Sequence, residues 1–74
     1  MRYHFHIAED GRFVEDEEGQ EFASEHAVRR EAIEAGASIA KDAFIRGSAR
    51  RIEIDVRKEN LPILKVVIRL DIEE

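Results

Sequence analysis

His4 and His6 are the residues whose type and spacing come closest to chemistry. Two apart on an extended segment, they send both imidazoles to one face. There they can share a metal ion if a carboxylate such as Glu53 or Asp55 completes the set. A zinc site ordinarily uses at least three protein ligands, so the first reading is two polar-face histidines, with His-based metal binding kept as an alternative. The acidic run Glu15-Asp16-Glu17-Glu18-Gly19-Gln20-Glu21 suggests calcium. It lacks the alternating oxygen ligands and the glycine at the sixth position of a calcium loop, and reads as a solvated turn. Arg29-Arg30, Arg50-Arg51 and Arg57-Lys58 are basic pairs that could touch phosphates if they converged. Each has acidic neighbours in a chain of net charge −5, which disfavours nucleic acid. A nucleic-acid-associated or antitoxin-like regulator therefore stays an alternative. The chain has no cysteine and no glycine-rich phosphate loop. Ser24 is better used as a helix cap, and Ser38 and Ser48 have no evident base beside them. No catalytic residue and no cofactor is assigned, and the expectation is a protein that is not an enzyme.

The segments that must position these residues show clear periodicities. From Arg2 to Ile7, Tyr3, Phe5 and Ile7 alternate with Arg2, His4 and His6, the pattern of a half-buried strand. Glu9-Asp10-Gly11 is a turn, and Arg12 to Glu15 returns as a shorter strand around Phe13 and Val14. Asp16-Glu17-Glu18-Gly19 is a second turn, after which Gln20 to Phe22 briefly resumes extended structure. Ser24 supplies an N-cap, and Glu25 complements the helix dipole. Val28, Ala32, Ala35, Ile39 and Ala43 mark one face of a helix running to about Arg46, widened by Ile33, Ala37, Ala40 and Phe44. Gly47 sits where a left-handed residue ends a helix. From Arg51 to Arg57, Ile52, Ile54 and Val56 oppose Arg51, Glu53, Asp55 and Arg57. Lys58 to Pro62 is a connector. Leu64, Val66, Ile68, Leu70 and Ile72 then alternate with Ile63, Lys65, Val67, Arg69 and Asp71.

The resulting order, β-β-α-β-β, predicts an α+β fold: a four-stranded, mainly antiparallel sheet with one long helix on one face. The order in which the two hairpins meet stays open. The expected core is Tyr3, Phe5, Ile7, Phe13, Val28, Ala32, Ala35, Ile39, Ala43, Phe44, Ile52, Ile54, Val56, Leu64, Val66, Ile68 and Leu70. One helix covers one side only. The other side is expected to present His4, His6, Arg51, Glu53, Ile63, Lys65, Val67 and Arg69, a candidate interaction face.

The chain is 74 residues, enough for one domain spanning residues 1–74. Its core is short and disulfides are excluded, so self-association is the simplest source of added stability. Charge is uneven: residues 1–26 carry two basic against eight acidic side chains, and residues 27–58 carry eight against five. Such asymmetry steers a molecule toward a partner or another copy of itself. The opening MRYHFHIAEDGR has no apolar run of signal-peptide length, and nothing approaches the roughly 18 apolar residues of a membrane span. A cytoplasmic protein without membrane contact is expected.

Two motifs carry a resemblance. Arg2-Tyr3-His4-Phe5-His6, with Asp16-Glu17-Glu18-Gly19-Gln20-Glu21-Phe22 ahead of the helix start Ala27-Val28-Arg29-Arg30-Glu31-Ala32, resembles a family of short bacterial, rhizobial-type proteins known only as a domain of unknown function. Members typically open on Arg-Tyr-aromatic-Phe-His and carry Asp-x-Glu-Gly-x-Glu before the helix. The similarity covers about the first two-thirds of the chain. The last third departs, with Lys58-Glu59-Asn60-Leu61-Pro62 where similar proteins often have an Asp-Glu-x-Gly-like turn. The resemblance implies no catalytic residue, cofactor or substrate. It singles out Asp16, Gly19 and Glu21 as a structural turn signature. The functional expectation is a small interaction or accessory module, self-associating as a dimer or bound to another protein.

Overall fold

The alternating segments pair into one antiparallel sheet in the computed structural model, which describes residues 1–74. The strands are β1 (Arg2–Glu9), β2 (Arg12–Val14), β3 (Gln20–Glu21), β4 (Arg51–Lys58) and β5 (Leu61–Arg69); the helix is α1 (Glu25–Arg46). The order across the sheet is β2-β1-β4-β5, and β3 shares with β2 the outer edge of β1. The hairpins therefore meet through β1 and β4, which pair antiparallel from His4↔Arg57 to Glu9↔Ile52. The α+β expectation holds, with a fifth short strand where extended structure resumes after the second turn.

Turn chemistry sets the register. Asp10 and Gly11 both take positive φ, 49° and 86°, the pairing a two-residue hairpin of native twist requires. The Asp10 carboxylate accepts from the N–H groups of Arg50 and Arg51, both at 2.9 Å, tying this turn to the start of β4. Glu59 and Asn60 form a second such turn, with φ 52° and 66°. The expected connector is thus only two residues long, and β5 begins at Leu61. Pro62 lies inside β5 opposite Arg57, tolerated because β5 is an edge strand whose outer N–H positions have no partner.

Ser24 caps α1, its hydroxyl accepting from the Ala27 N–H at 3.2 Å. Gly47 closes it at φ 73°, its N–H returning to the last turn. The buried row is Val28, Ala32, Gly36, Ala40 and Ala43, so the helix rides on its smallest residues. A Cβ at Gly36 would stand 3.1 Å from Ile68 Cδ1 and 3.3 Å from Ile54 Cγ1. A side chain there would make those two isoleucines give by a few tenths of an ångström, so the close approach favours glycine against its loss of about 1 kcal/mol in helix propensity relative to alanine. The helix packs on β4 and β5. Ile52, Ile54, Val56 and Val28 are the largest wholly buried side chains.

The core departs from expectation in several places. Phe13 is 59 % exposed, because the tight turn pairs it with Ala8 and so turns it to the side away from the helix. Ile63 packs against the core: between Val56↔Leu64 and Arg57↔Pro62 it is an extra residue, a bulge that turns two successive side chains to the same side. Phe22 and Ala49 join the core although the periodicities did not place them there, and Ala40, expected at the margin of the buried face, lies within it, while Ile33 and Ala37 from the same margin are exposed. The last strand ends at Arg69; Leu70 is half-buried and Ile72 exposed.

Candidate functional site

β2 pairs with the end of β1, from Ile7 to Glu9, and β3 with its beginning, at Arg2 and Tyr3. That leaves Phe5 in a gap on the strand's edge. Asp16 fills it. Its Oδ2 accepts from the Phe5 N–H at 3.0 Å, and its Oδ1 accepts from the Gly19 N–H at 3.1 Å. The Asp16 N–H donates to His6 Nδ1 at 3.0 Å. A side chain here does the work of a missing stretch of strand. Burial opposes ionisation of Asp16, but the amides of Phe5, Gly19 and Glu18 outweigh it with help from the charge of His4, and hold its carboxyl below the ordinary value of 3.8.

Gly19 completes this clasp. Its φ is 73°, and a Cβ there would stand 2.9 Å from the Tyr3 carbonyl oxygen, Arg2 Cγ and His4 Nε2. Only a residue without a side chain lets the turn lie on β1. Glu21 then accepts from the N-terminal ammonium at 3.1 Å and pairs with Arg2 at 3.3 Å. Arg2 also donates to the Glu18 carbonyl at 2.7 Å. Phe22 sets its ring against Tyr3 at 6.0 Å and Phe5 at 5.6 Å. The two sequence motifs thus meet each other, residue on residue. Asp16, Gly19 and Glu21 all lie against the first residues of β1.

The sheet face away from α1 is open. Cross-strand pairing sets Phe13, Ala8, Glu53 and Val67 in one row, His6, Asp55 and Lys65 in the next, and His4 beside Arg57. Arg51 and Arg69 pair at one end. Of the expected face, His4, His6, Arg51, Glu53, Lys65, Val67 and Arg69 do lie together; Ile63 does not, for the bulge turns it inward. Phe13 is the face residue that periodicity missed. A three-residue strand with apolar Phe13 and Val14 side by side gives no sign of which points out, and only the length of the Asp10-Gly11 turn could have told.

Charges on this face are prearranged. Glu53 is held at 2.8 Å by Arg51 and 3.4 Å by Lys65. The Arg51 hydrogen bond, with Lys65 adding, keeps its carboxyl below the ordinary range against a smaller opposing effect of desolvation. Asp55 pairs with Arg57 at 3.2 Å. The two carboxylates that could have completed a metal site with His4 and His6 are thus committed to cations. His6 Nδ1 is an acceptor from the clasp, and the two rings lie stacked at 6.3 Å. No three side chains of metal-binding type converge. An open hollow of about 520 Å³ lies over the two histidines, bounded by Glu15, Glu17, Arg57, Glu59 and Asn60.

The basic pairs stay apart. Arg50-Arg51 and Arg57-Lys58 stand at opposite ends of β4, about 20 Å from each other, and Arg29-Arg30 is on the helix. Arg30 reaches Glu34 at 4.0 Å, and Lys58 lies 5.9 Å over the Tyr3 ring.

An antiparallel sheet with one helix on one side, a polar open face on the other and a clasped edge defines a small α+β domain. Its most distinctive residues serve its own architecture. The chain belongs to the family described as Domain of unknown function (DUF6894), whose model matches residues 2–69. Comparison with curated proteins and with solved structures finds no match. No helix is long and apolar enough to cross a membrane.

Proposed function

We propose that this protein is a non-catalytic interaction module that binds a protein partner through the open face of its sheet. The observation that carries the reading is the row in which Phe13 and Val67 are 59 % and 44 % exposed, set among ion pairs that already hold their geometry. Apolar side chains ringed by fixed charges make a contact surface, the former supplying burial and the latter register. Overall dimensions support it. A compact monomer of this mass is expected to expose about 4,700 Å², whereas this chain exposes 5415 Å². The surplus is close to what one partner buries in a standard interface, about 800 Å². The radius of gyration, 12.8 Å, likewise exceeds the roughly 11 Å of a compact chain of this length. Its acidic, cysteine-free composition suits work in the cytoplasm, where we place it.

The test is site-specific photo-crosslinking in the host cell. A crosslinker at position 67 is expected to give discrete protein adducts, and one at Ile45, on the exposed helix, is expected to give none. Adducts at Ile45 but not at position 67 would overturn the assignment of the face.

A further inference from the structure

We infer that the partner on this face is a second copy of the chain, docked face to face about a two-fold axis that runs parallel to the strands between β1 and β4. The inference rests on reading the open face as a contact surface, and it follows from how charge is spread across that face. The β5 side presents Lys65 and Arg69, the first 3.4 Å from Glu53 and the second 3.1 Å from Asp71 within the chain. The opposite side, beyond β2, is acidic: Glu15 and Glu17 border the hollow over the histidines. A two-fold axis along the strands exchanges these sides, laying each acidic margin over the other copy's β5.

The rows then match. Phe13 meets the second copy's Val67. In the next row Glu15, one residue past β2 and hence level with His6, meets Lys65. The same operation sets His6 against Asp55. Two other two-fold arrangements of the sheet are less favourable in charge. Pairing the free edges of two β5 strands opposes Lys65 to Arg69, and a face-to-face axis across the strands stacks β5 on β5. Like charges so placed disfavour association. The area is that of a modest interface. Three strands of eight or nine residues at about 4.8 Å spacing and about 3.3 Å rise, with the three-residue β2 beside them, span about 430 Å² in projection. Side-chain relief brings this toward the roughly 800 Å² per partner of a standard interface.

The experiment is sedimentation equilibrium on the full chain, with circular dichroism melts confirming that each variant folds. Wild type is expected to approach twice its 8.5 kDa as concentration rises. Lys65→Glu and Glu15→Lys are each expected to raise the dissociation constant about tenfold or more, since each sets like charges together twice per dimer. An equimolar mixture of the two variants is expected to associate like wild type, because both contacts again join a glutamate to a lysine. The double variant Glu15→Lys/Lys65→Glu is expected to do so by itself, and stands in if one single variant does not fold. A mixture that stays dissociated, or single variants that associate like wild type, would overturn the pairing. A wild type of 8.5 kDa at every concentration would overturn the second copy as partner. The contact face itself would then stand or fall on whether position 67 still crosslinks to another protein.

Discussion

Replacing Gly19 by alanine places a methyl group 2.9 Å from the Tyr3 carbonyl oxygen, Arg2 Cγ and His4 Nε2. Two penalties are superposed: the left-handed backbone, and the collision with β1. Gly47 separates them, because it has the same φ of 73° and nothing within 4 Å of its added Cβ. Gly47→Ala should therefore report the backbone penalty alone, about 1–2 kcal/mol. Gly19→Ala should add a further 1–3 kcal/mol or so, since one of the atoms it meets is backbone and cannot rotate away. The shift also lifts the turn off Phe5 and loosens the hydrogen bonds of Asp16. A chain of this length holds only about 4–11 kcal/mol in total. Gly19→Val, with its branched side chain, is expected to lie near or beyond unfolding and to exceed any acidic substitution nearby. Urea denaturation followed at 222 nm gives both alanine values. Equal destabilisation at Gly19 and Gly47 would refute the close seat of the turn on β1.

Four further outcomes follow from the same geometry. Asp16→Ala should destabilise the fold by about 1–2 kcal/mol, the worth of two amide hydrogen bonds to a partly solvated carboxylate, read from the urea midpoint at neutral pH. The folded carboxyl titrates below its ordinary 3.8, so this contribution is fully present above the unfolded value and is lost as the pH falls through the folded one; a wild-type advantage over Asp16→Asn that grows on acidification would contradict the clasp. Gly36→Leu should lower stability by about 1–3 kcal/mol in thermal melts, overpacking against Ile54 and Ile68 outweighing the better helix propensity. Asp10→Ala should cost about 1–3 kcal/mol by freeing two amides and straining a left-handed turn, and amide exchange at Arg50 and Arg51 should quicken with it.

Local signals in the chain were sufficient for the extent of the helix and for the faces of β1 and β4. Ser24, Gly47 and the row of small residues state the length of α1 and which side it buries, because caps and periodicity act within a few residues. Phe13 and Ile63 were placed on the wrong sides for a common reason. Each depends on a one-residue shift of register, set in one case by a two-residue turn and in the other by a bulge, and strand periodicity is blind to both. The clasp was half legible. Asp16 and Gly19 announce a turn, but Asp16's partners are Phe5 and His6, ten or eleven residues upstream, and a separation of that size leaves no periodic trace. The open face was legible as a polar side; its division into an acidic and a basic margin needed the strand order, which emerges only when β1 is seen to pair with β4.

A dilution series of amide chemical shifts, from millimolar to micromolar protein, tests the central claim most directly. Amides of Ala8, Asp55, Lys65 and Val67 are predicted to shift together with concentration while those of Arg29, Glu34 and Ile45 on the exposed helix stay fixed. Shifts confined to the helix, or no concentration dependence together with no partner at position 67, would contradict the assignment of the open sheet face as the surface through which this protein acts.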